Sequence, residues 1–296
     1  MFPKTQQITS SLLKEKKIKL YLKRIDENCP YVSGNKIYKL KYNIDYILNK
    51  GYKKVLTFGG AYSNHILATA YIANKFNLSS TGIIRGNEVL PLNPTLKLAK
   101  KYGMNLIYFN RKNYKLLTQY QKLTLIPSEY KESYILPEGG TNKLAVRGTQ
   151  EILDLLDNQD YICCSVGTGG TISGLINSSN QEQNILGFPA IKGISLLEEN
   201  IIKWSDKSNW KLIKGYHFGG YSKFDNNLSD FIMEFYAKYS ISLDMVYTGK
   251  MMYGIFDLIN KDFFPKNSSI LAIHTGGLQG NLGMNIKFGL DLPHNF

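Results

Sequence analysis

Tyr161-Ile162-Cys163-Cys164-Ser165-Val166-Gly167-Thr168-Gly169-Gly170-Thr171 is the stretch whose reading decides the fold. A short apolar run ended by glycines reads as a buried strand, and the glycine loop then opens a helix. Glycines let the backbone curl so that successive amides face one anion, and a helix start adds a favourable dipole. Thr168 and Thr171 add hydroxyl donors. A tight strand–helix turn would also use glycine, but so many in this context favour a phosphate cradle. A dinucleotide site would want an acid at the end of the next strand, which instead leads into Pro189 and Ala190. A Walker-type loop would end in Gly-Lys-Ser/Thr, and the lysine is missing. The cradle therefore suits a single phosphate.

Outward from this stretch, strand and helix patterns alternate. Residues 53–58, 81–84, 105–109, 134–136, 185–188, 211–215 and 270–274 read as further strands. Residues 94–102, 145–156, 196–204, 228–239 and 251–260 read as helices, and one more follows Ser63 with Ile66, Ala70 and Ala73 on its apolar face. In the helix over 145–156 the apolar marks are Val146, Ile152, Leu155 and Leu156. Residues 119–125 fit neither type. Near the front, Ile18, Leu20 and Leu22 alternate with Lys19, Tyr21 and Lys23, a half-exposed strand. This order predicts an α/β protein with mainly parallel sheet, whose ligands lie at the carboxyl ends of strands. Five glycine-bearing loops fall there, around Gly59, Gly139, Gly167, Gly249 and Gly276.

The 296 residues suffice for two domains or one large one. The formal charge of +13 comes almost wholly from dispersed lysines, with arginine only at Arg24, Arg85, Arg111 and Arg147. A nucleic-acid binder would cluster arginine with aromatics, so a lysine-rich solvated surface is expected, with no nucleic acid. Cys29, Cys163 and Cys164 have neither metal nor disulfide spacing, which predicts a reduced, cytoplasmic protein without a metal site. The first eleven residues lack an apolar signal core, and no stretch suits a membrane span.

Ser33-Gly34-Asn35-Lys36-Ile37-Tyr38-Lys39-Leu40 is a turn that delivers Lys36 near a helix start, ahead of Leu40, Ile44, Ile47 and Leu48 at helical spacing and a stop at Gly51. Cations are disfavoured at the positive end of a helix. Alone, Lys36 reads as one more surface lysine. Ser63-Asn64-His65 opens another helix, and its hydroxyl, amide and free backbone N–H groups suit a carboxylate as well as they suit ordinary N-capping. Together, a lysine on a turn, a monophosphate cradle and a carboxylate-binding helix start are what a pyridoxal-phosphate enzyme acting on an amino acid needs.

The lysine turn resembles the Gly-Asn-Lys-x-Arg-Lys-Leu signature of the 1-aminocyclopropane-1-carboxylate deaminase/D-cysteine desulfhydrase family. The resemblance is collinear. It takes in Gly59-Gly60 through Ser63-Asn64-His65, Pro137-Glu138-Gly139-Gly140-Thr141-Asn142, the Gly167 loop, Val246-Tyr247-Thr248-Gly249-Lys250 and Ile273-His274-Thr275-Gly276-Gly277. It implies the type II pyridoxal-phosphate fold of the tryptophan-synthase β-subunit, with two domains, each a mainly parallel sheet flanked by helices. Residues 1–45 and 145–296 would form the large cofactor domain and 46–144 the small one. It implies pyridoxal 5'-phosphate as cofactor, a small amino acid as substrate and a homodimer. By carry-over Lys36 would be the Schiff-base lysine and the base for the α-proton, and Asn64 would bond the cofactor's ring oxygen. Ser63 would take the substrate carboxylate, Gly167, Thr168, Gly169, Gly170 and Thr171 the phosphate, and Tyr247 and Tyr221 would be the active-site tyrosines. Tyr38 and Leu67 stand where the family usually has arginine, which bears on the substrate.

Two further positions separate the branches. The deaminase branch has Tyr-Glu-Gly-Lys and His-Leu-Gly-Gly, with the glutamate facing the pyridine nitrogen, whereas this chain has Thr248 and Thr275. A glutamate favours a protonated pyridine and a strong electron sink, which opening an unactivated ring requires. A hydroxyl leaves the nitrogen neutral, which suits β-elimination. The expected activity is therefore loss of sulfide from D-cysteine or a related β-substituted amino acid. Ring-opening deamination to 2-oxobutyrate is the alternative. A non-catalytic phosphate-binding module would explain the Gly167 loop but not the lysine and Ser-Asn-His loops with it.

Overall fold

The computed structural model describes residues 3–29, 32, 34–118 and 122–294. Ser33 of the lysine turn, and Gln119, Tyr120 and Gln121 of the segment without an assigned type, lie outside them. The chain forms two compact units, one of Met1–Asn35 with Thr149–Phe296 and one of Lys36–Gly148.

The first unit begins with β1 (Thr5–Ile8), α1 (Ser11–Glu15) and β2 (Lys19–Lys23). The second follows as α2 (Asn35–Asn49), β3 (Lys54–Gly59), α3 (Asn64–Lys75), β4 (Ser79–Arg85), α4 (Pro94–Lys101), β5 (Asn105–Phe109), α5 (Arg111–Thr118), β6 (Tyr134–Ile135) and α6 (Lys143–Thr149). Its four strands run parallel in the order β5-β4-β3-β6. Leu56, Phe58 and Ile83 pack with Tyr114 and Leu117 in one apolar cluster, and Ile66, Ala70 and Ile84 pack with Leu96 in another. Parallel strands need such cover because crossover helices bury them. Asn93 caps α4 and Pro94 opens it, as the start signals predict.

The first unit resumes with β7 (Tyr161–Val166), α7 (Gly170–Ser178), β8 (Asn184–Pro189), α8 (Ile194–Ile202), β9 (Trp210–Leu212), α9 (Asn226–Tyr239), α10 (Thr248–Asn260), β10 (Ser269–Ile273) and α11 (Gln279–Phe288). Its sheet has the order β1-β2-β10-β7-β8-β9, parallel throughout except that β1 runs against β2. Leu20, Leu22, Ile255 and Ile270 belong to its main core.

Two expectations fail for one reason. Lys23 is not on a half-exposed face: it is buried, bonded to Asp157 and, at 2.7 Å, to Asp154. β2 lies between β1 and β10, and a buried ammonium needs paired charge. Those same aspartates end the helix expected over 145–156. α6 stops at Thr149 and a 3₁₀ turn, Gln150–Ile152, follows. Asp157 then takes the backbone N–H of Asp154, and Asp154 takes that of Leu156. Local bonding of this kind competes with helix. Leu155 and Leu156, read as core marks, are almost wholly exposed as a result. Among the described residues no helix is long and apolar enough to cross a membrane, and no group of side chains could hold a metal ion.

Candidate functional site

In the first unit β7 ends at Val166 and α7 starts at Gly170, so the glycine loop is the strand–helix junction that the sequence indicates. Gly169 has φ +90°, a conformation that a side chain rarely adopts, and its carbonyl accepts the backbone N–H and the hydroxyl of Ser173. The first N–H groups of α7 are left for an external acceptor, the arrangement that binds phosphate. Two neighbours fix this turn. Thr149 Oγ1 donates to the Gly170 carbonyl at 3.0 Å, and Asn35 Nδ2 donates to Thr171 Oγ1 at 2.8 Å. The Tyr247 ring closes on the loop, for a Cβ on Gly167 would lie 3.2 Å from its Cε1.

Asn35 also donates its backbone N–H to the Thr275 carbonyl at 3.3 Å. The approach is so close that a Cβ on Gly34 would sit 1.8 Å from that oxygen. Asn35 is thus bound to the Thr275 loop through its backbone and to the first turn of α7 through its side chain. The Thr275 hydroxyl is buried and pairs with Ser165 Oγ at 3.1 Å.

Thr248 is turned elsewhere. Its hydroxyl donates to Asp244 Oδ1 at 2.7 Å and accepts the Asp244 N–H at 2.8 Å. Asp244 also takes the backbone N–H groups of Val246, Tyr247 and Thr248, so its carboxylate caps α10. Burial lifts its pKa above the usual carboxylate range, against these donors. Tyr221, exposed, meets the Tyr247 ring edge to face at 6.2 Å between centroids. Lys250 is buried in α10, where desolvation brings it down to about 8 against the pull of Asp244.

In the second unit Lys36 is half-buried in the first turn of α2. Three residues on, Lys39 is buried and donates to the Gly139 carbonyl and Thr141 Oγ1, both at 2.9 Å. Ser63 caps α3 by accepting the Ile66 N–H at 3.3 Å. Asn64 is the first residue of that helix, and its Oδ1 is buried without a hydrogen-bond partner. His65 Nε2 bonds Thr57 Oγ1 at 2.8 Å. Its other nitrogen has no partner, and burial, with Lys36 and Lys39 nearby, holds the ring well below its ordinary pKa.

That shift has a testable consequence. A ring that stays neutral when folded but takes a proton when unfolded makes stability fall as pH drops below about 6.5. Between pH 7.5 and pH 5.5 the His65 contribution should be a loss on the order of 1 kcal/mol. Urea titrations of wild type and His65→Gln check it: the variant, which cannot take up the proton, should lose that much less. Parallel pH profiles would remove His65 as the source.

The carried-over residues thus fall into two sets. Tyr221, Tyr247, Thr275 and the Gly167 loop belong to the first unit, Lys36, Ser63 and Asn64 to the second, and Thr248 faces Asp244. The sequence reading gave no role to Ser165, Asn35, Asp244 or Lys250. Asp244 lies three residues ahead of Tyr247, the N-cap of α10, so it is off the position that a capping signal marks. Ser165 and Asn35 act through partners far along the chain, which leave no local mark.

This donor set fits pyridoxal phosphate. The start of α7 suits a phosphate, the side-chain NH2 of Asn64 is a donor of the kind that bonds a ring oxygen, and Lys36 carries an amine. Known proteins agree. The family described as "Pyridoxal-phosphate dependent enzyme" matches residues 4–276. A putative 1-aminocyclopropane-1-carboxylate deaminase of Pyrococcus abyssi is 31% identical over 93% of this chain and 89% of its own. The mitochondrial bifunctional D-cysteine desulfhydrase/1-aminocyclopropane-1-carboxylate deaminase of Arabidopsis thaliana is 30% identical over 88% of this chain and 73% of its own. The crystal structure of an ACC deaminase homologue, 27% identical, superposes with a TM-score of 0.83, covering 97% of this chain and 93% of that one. The two parallel-sheet units are those of a type II pyridoxal-phosphate enzyme, and the chain belongs to the pyridoxal-phosphate-dependent enzyme family, among the 1-aminocyclopropane-1-carboxylate deaminases and D-cysteine desulfhydrases.

Proposed function

We propose that the protein is a lyase that eliminates sulfide from D-cysteine, or the equivalent group from a similar β-substituted amino acid, to give pyruvate and ammonia. When bound, the cofactor supplies the electron sink that lets the α-proton leave. Lys36 is its covalent anchor and the base that takes that proton. The Gly167 loop, with Thr168 and Thr171, holds the phosphate. Asn64 holds the ring oxygen, and Ser63 the substrate carboxylate. Tyr247 and Tyr221 act on the substrate. Residues 1–45 and 145–296 serve as the cofactor domain, and 46–144 as the small domain.

The observation that carries elimination over ring opening is the buried hydroxyl pair of Thr275 and Ser165. Hydroxyls at the pyridine nitrogen leave it neutral, and a weaker sink suffices where a good leaving group departs as the α-proton is lost. Thr248 supports this reading less directly, because its hydroxyl is committed to Asp244. In the overall reaction the Cα–H and Cβ–S bonds break, sulfide leaves with a proton, and water hydrolyses the released enamine to pyruvate and ammonia.

Ring opening to 2-oxobutyrate is the second reading, favoured by the name of the Pyrococcus relative. Ketoacid release by the cofactor-loaded protein decides between them, with D-cysteine and 1-aminocyclopropane-1-carboxylate assayed in parallel. Pyruvate with sulfide from the first, and no 2-oxobutyrate from the second, is expected. The opposite pattern would show that the hydroxyls do not set the chemistry. A homodimer in the cytoplasm completes the proposal. Cys29, Cys163 and Cys164 form no disulfide, and sedimentation should give twice 33.6 kDa.

A further inference from the structure

Lys250 lies in the first turn of α10, three residues after Tyr247, and is 1% exposed. A buried ammonium is costly unless its protons are taken up. Here they go to the two carbonyls that bracket one turn: His217 O at 2.9 Å and Gly220 O at 2.8 Å. The second is the carbonyl of the peptide bond to Tyr221. The turn itself is strained. Phe218 has φ +52° and Ser222 φ +55°, left-handed values that non-glycine residues seldom take, and Gly219 and Gly220 between them lie at +90° and +123°. Such a run persists only where the surroundings over-determine it. The turn's own bonds are Gly220 N–H to His217 O at 3.0 Å, Lys223 N–H to Gly220 O at 3.1 Å and Gly219 N–H to His217 Nδ1 at 2.9 Å. Lys250 and the edge-to-face packing of Phe218 on Tyr253, at 5.1 Å between centroids, tie it to α10.

We propose that Lys250 is a positioning residue, whose ammonium clamps the 217–222 turn to α10 and so sets the Tyr221 phenol against Tyr247 for the reaction. Both tyrosines are then referenced to one helix: Tyr247 through the Asp244 cap at its start, and Tyr221 through Lys250. Methionine at 250 fills the same space but cannot donate. This rests on the lyase reading for what the tyrosines do, but not for what the clamp holds.

Two measurements test it. In Lys250→Met, amide exchange over residues 218–223 should quicken by at least about tenfold while α10 exchanges as before. Unchanged exchange in the turn would overturn the clamp, whatever the protein catalyses. A double-mutant cycle on D-cysteine kcat/KM then tests positioning. Lys250→Met should cost on the order of 30-fold beside Tyr221 and under about threefold in a Tyr221→Phe background, with cofactor colour retained in both. An equal loss in both backgrounds would make Lys250 merely structural. Should Lys250→Met not fold, Lys250→Gln, a shorter donor, is carried through the same two measurements. A wild type inert toward both D-cysteine and 1-aminocyclopropane-1-carboxylate would overturn the lyase reading and the positioning role with it. The exchange result would still decide the clamp.

Discussion

Replacing Lys36 with alanine is expected to leave a folded protein that cannot turn over D-cysteine, with a loss of more than about a thousandfold. Folding should survive because the side chain carries none of the core. α2 is held by Leu40, Ile44 and Ile47 on its buried face, while Lys36 is half-buried at its first turn. Alanine is the best helix former, and the change removes a cation from the positive end of the helix dipole. It also removes one of the two charges that suppress protonation of His65, so that ring should regain basicity. Activity should not survive, because no rotation of a neighbour supplies the missing amine. Lys39, three residues on, is tethered to Gly139 O and Thr141 Oγ1. Borohydride treatment of the loaded proteins followed by peptide mapping checks the assignment: cofactor should be fixed to Lys36 in wild type and to no lysine in the variant. A Lys36→Ala protein with ordinary turnover would end the lyase reading.

The largest structural penalty is expected at Asp244. Asp244→Ala removes the acceptor of three backbone N–H groups and of the Thr248 hydroxyl, all at the start of α10. Each buried donor left without a partner costs about 1–3 kcal/mol, less whatever water or local shift recovers. The expected net loss is on the order of 4 kcal/mol, at the far end of the range for single substitutions. Asn, which keeps one acceptor oxygen but turns an NH2 toward the donors, should lose about half of that. Urea midpoints of the three proteins measure it. A loss under about 1 kcal/mol for alanine would mean that the cap is dispensable. The same geometry explains why glutamate cannot simply be grafted at position 248. Its carboxylate would enter a fully buried site beside Asp244, where two like charges compete for one set of donors.

Much of this protein is visible in its sequence, for reasons that local physics makes plain. β5 and β7 begin and end where apolar runs meet turn residues, and the helices that follow the glycine loops start where those loops place them. What stayed hidden was held by partners distant in sequence. Lys23 looks like the polar half of an alternating strand until Asp154 and Asp157 are brought to it. Leu155 and Leu156 look like core because periodicity cannot register two carboxylates that have already turned the chain. The Gly167 motif marked a strand–helix junction. The motifs could not show that Thr248 faces Asp244, that Ser165 accompanies Thr275, or that Asn35 bonds Thr171, since each depends on which side of a helix or strand a neighbour lies.

The interleaving of the two units also bears on how the chain is made. The second unit is one continuous segment, Lys36–Gly148, and its sheet is complete once β6 has been synthesised. The first unit has no such freedom. β2 takes one of its neighbours from β10, with Lys19 opposite Ser269, so its sheet cannot close until Ser269–Ile273 has left the ribosome. Contacts so distant in sequence are slow to form, and the early strands stay exposed while they wait. The segment that opens with Lys36 is therefore expected to fold first, and the antiparallel β1–β2 pair is the part of the nascent chain in most need of a chaperone.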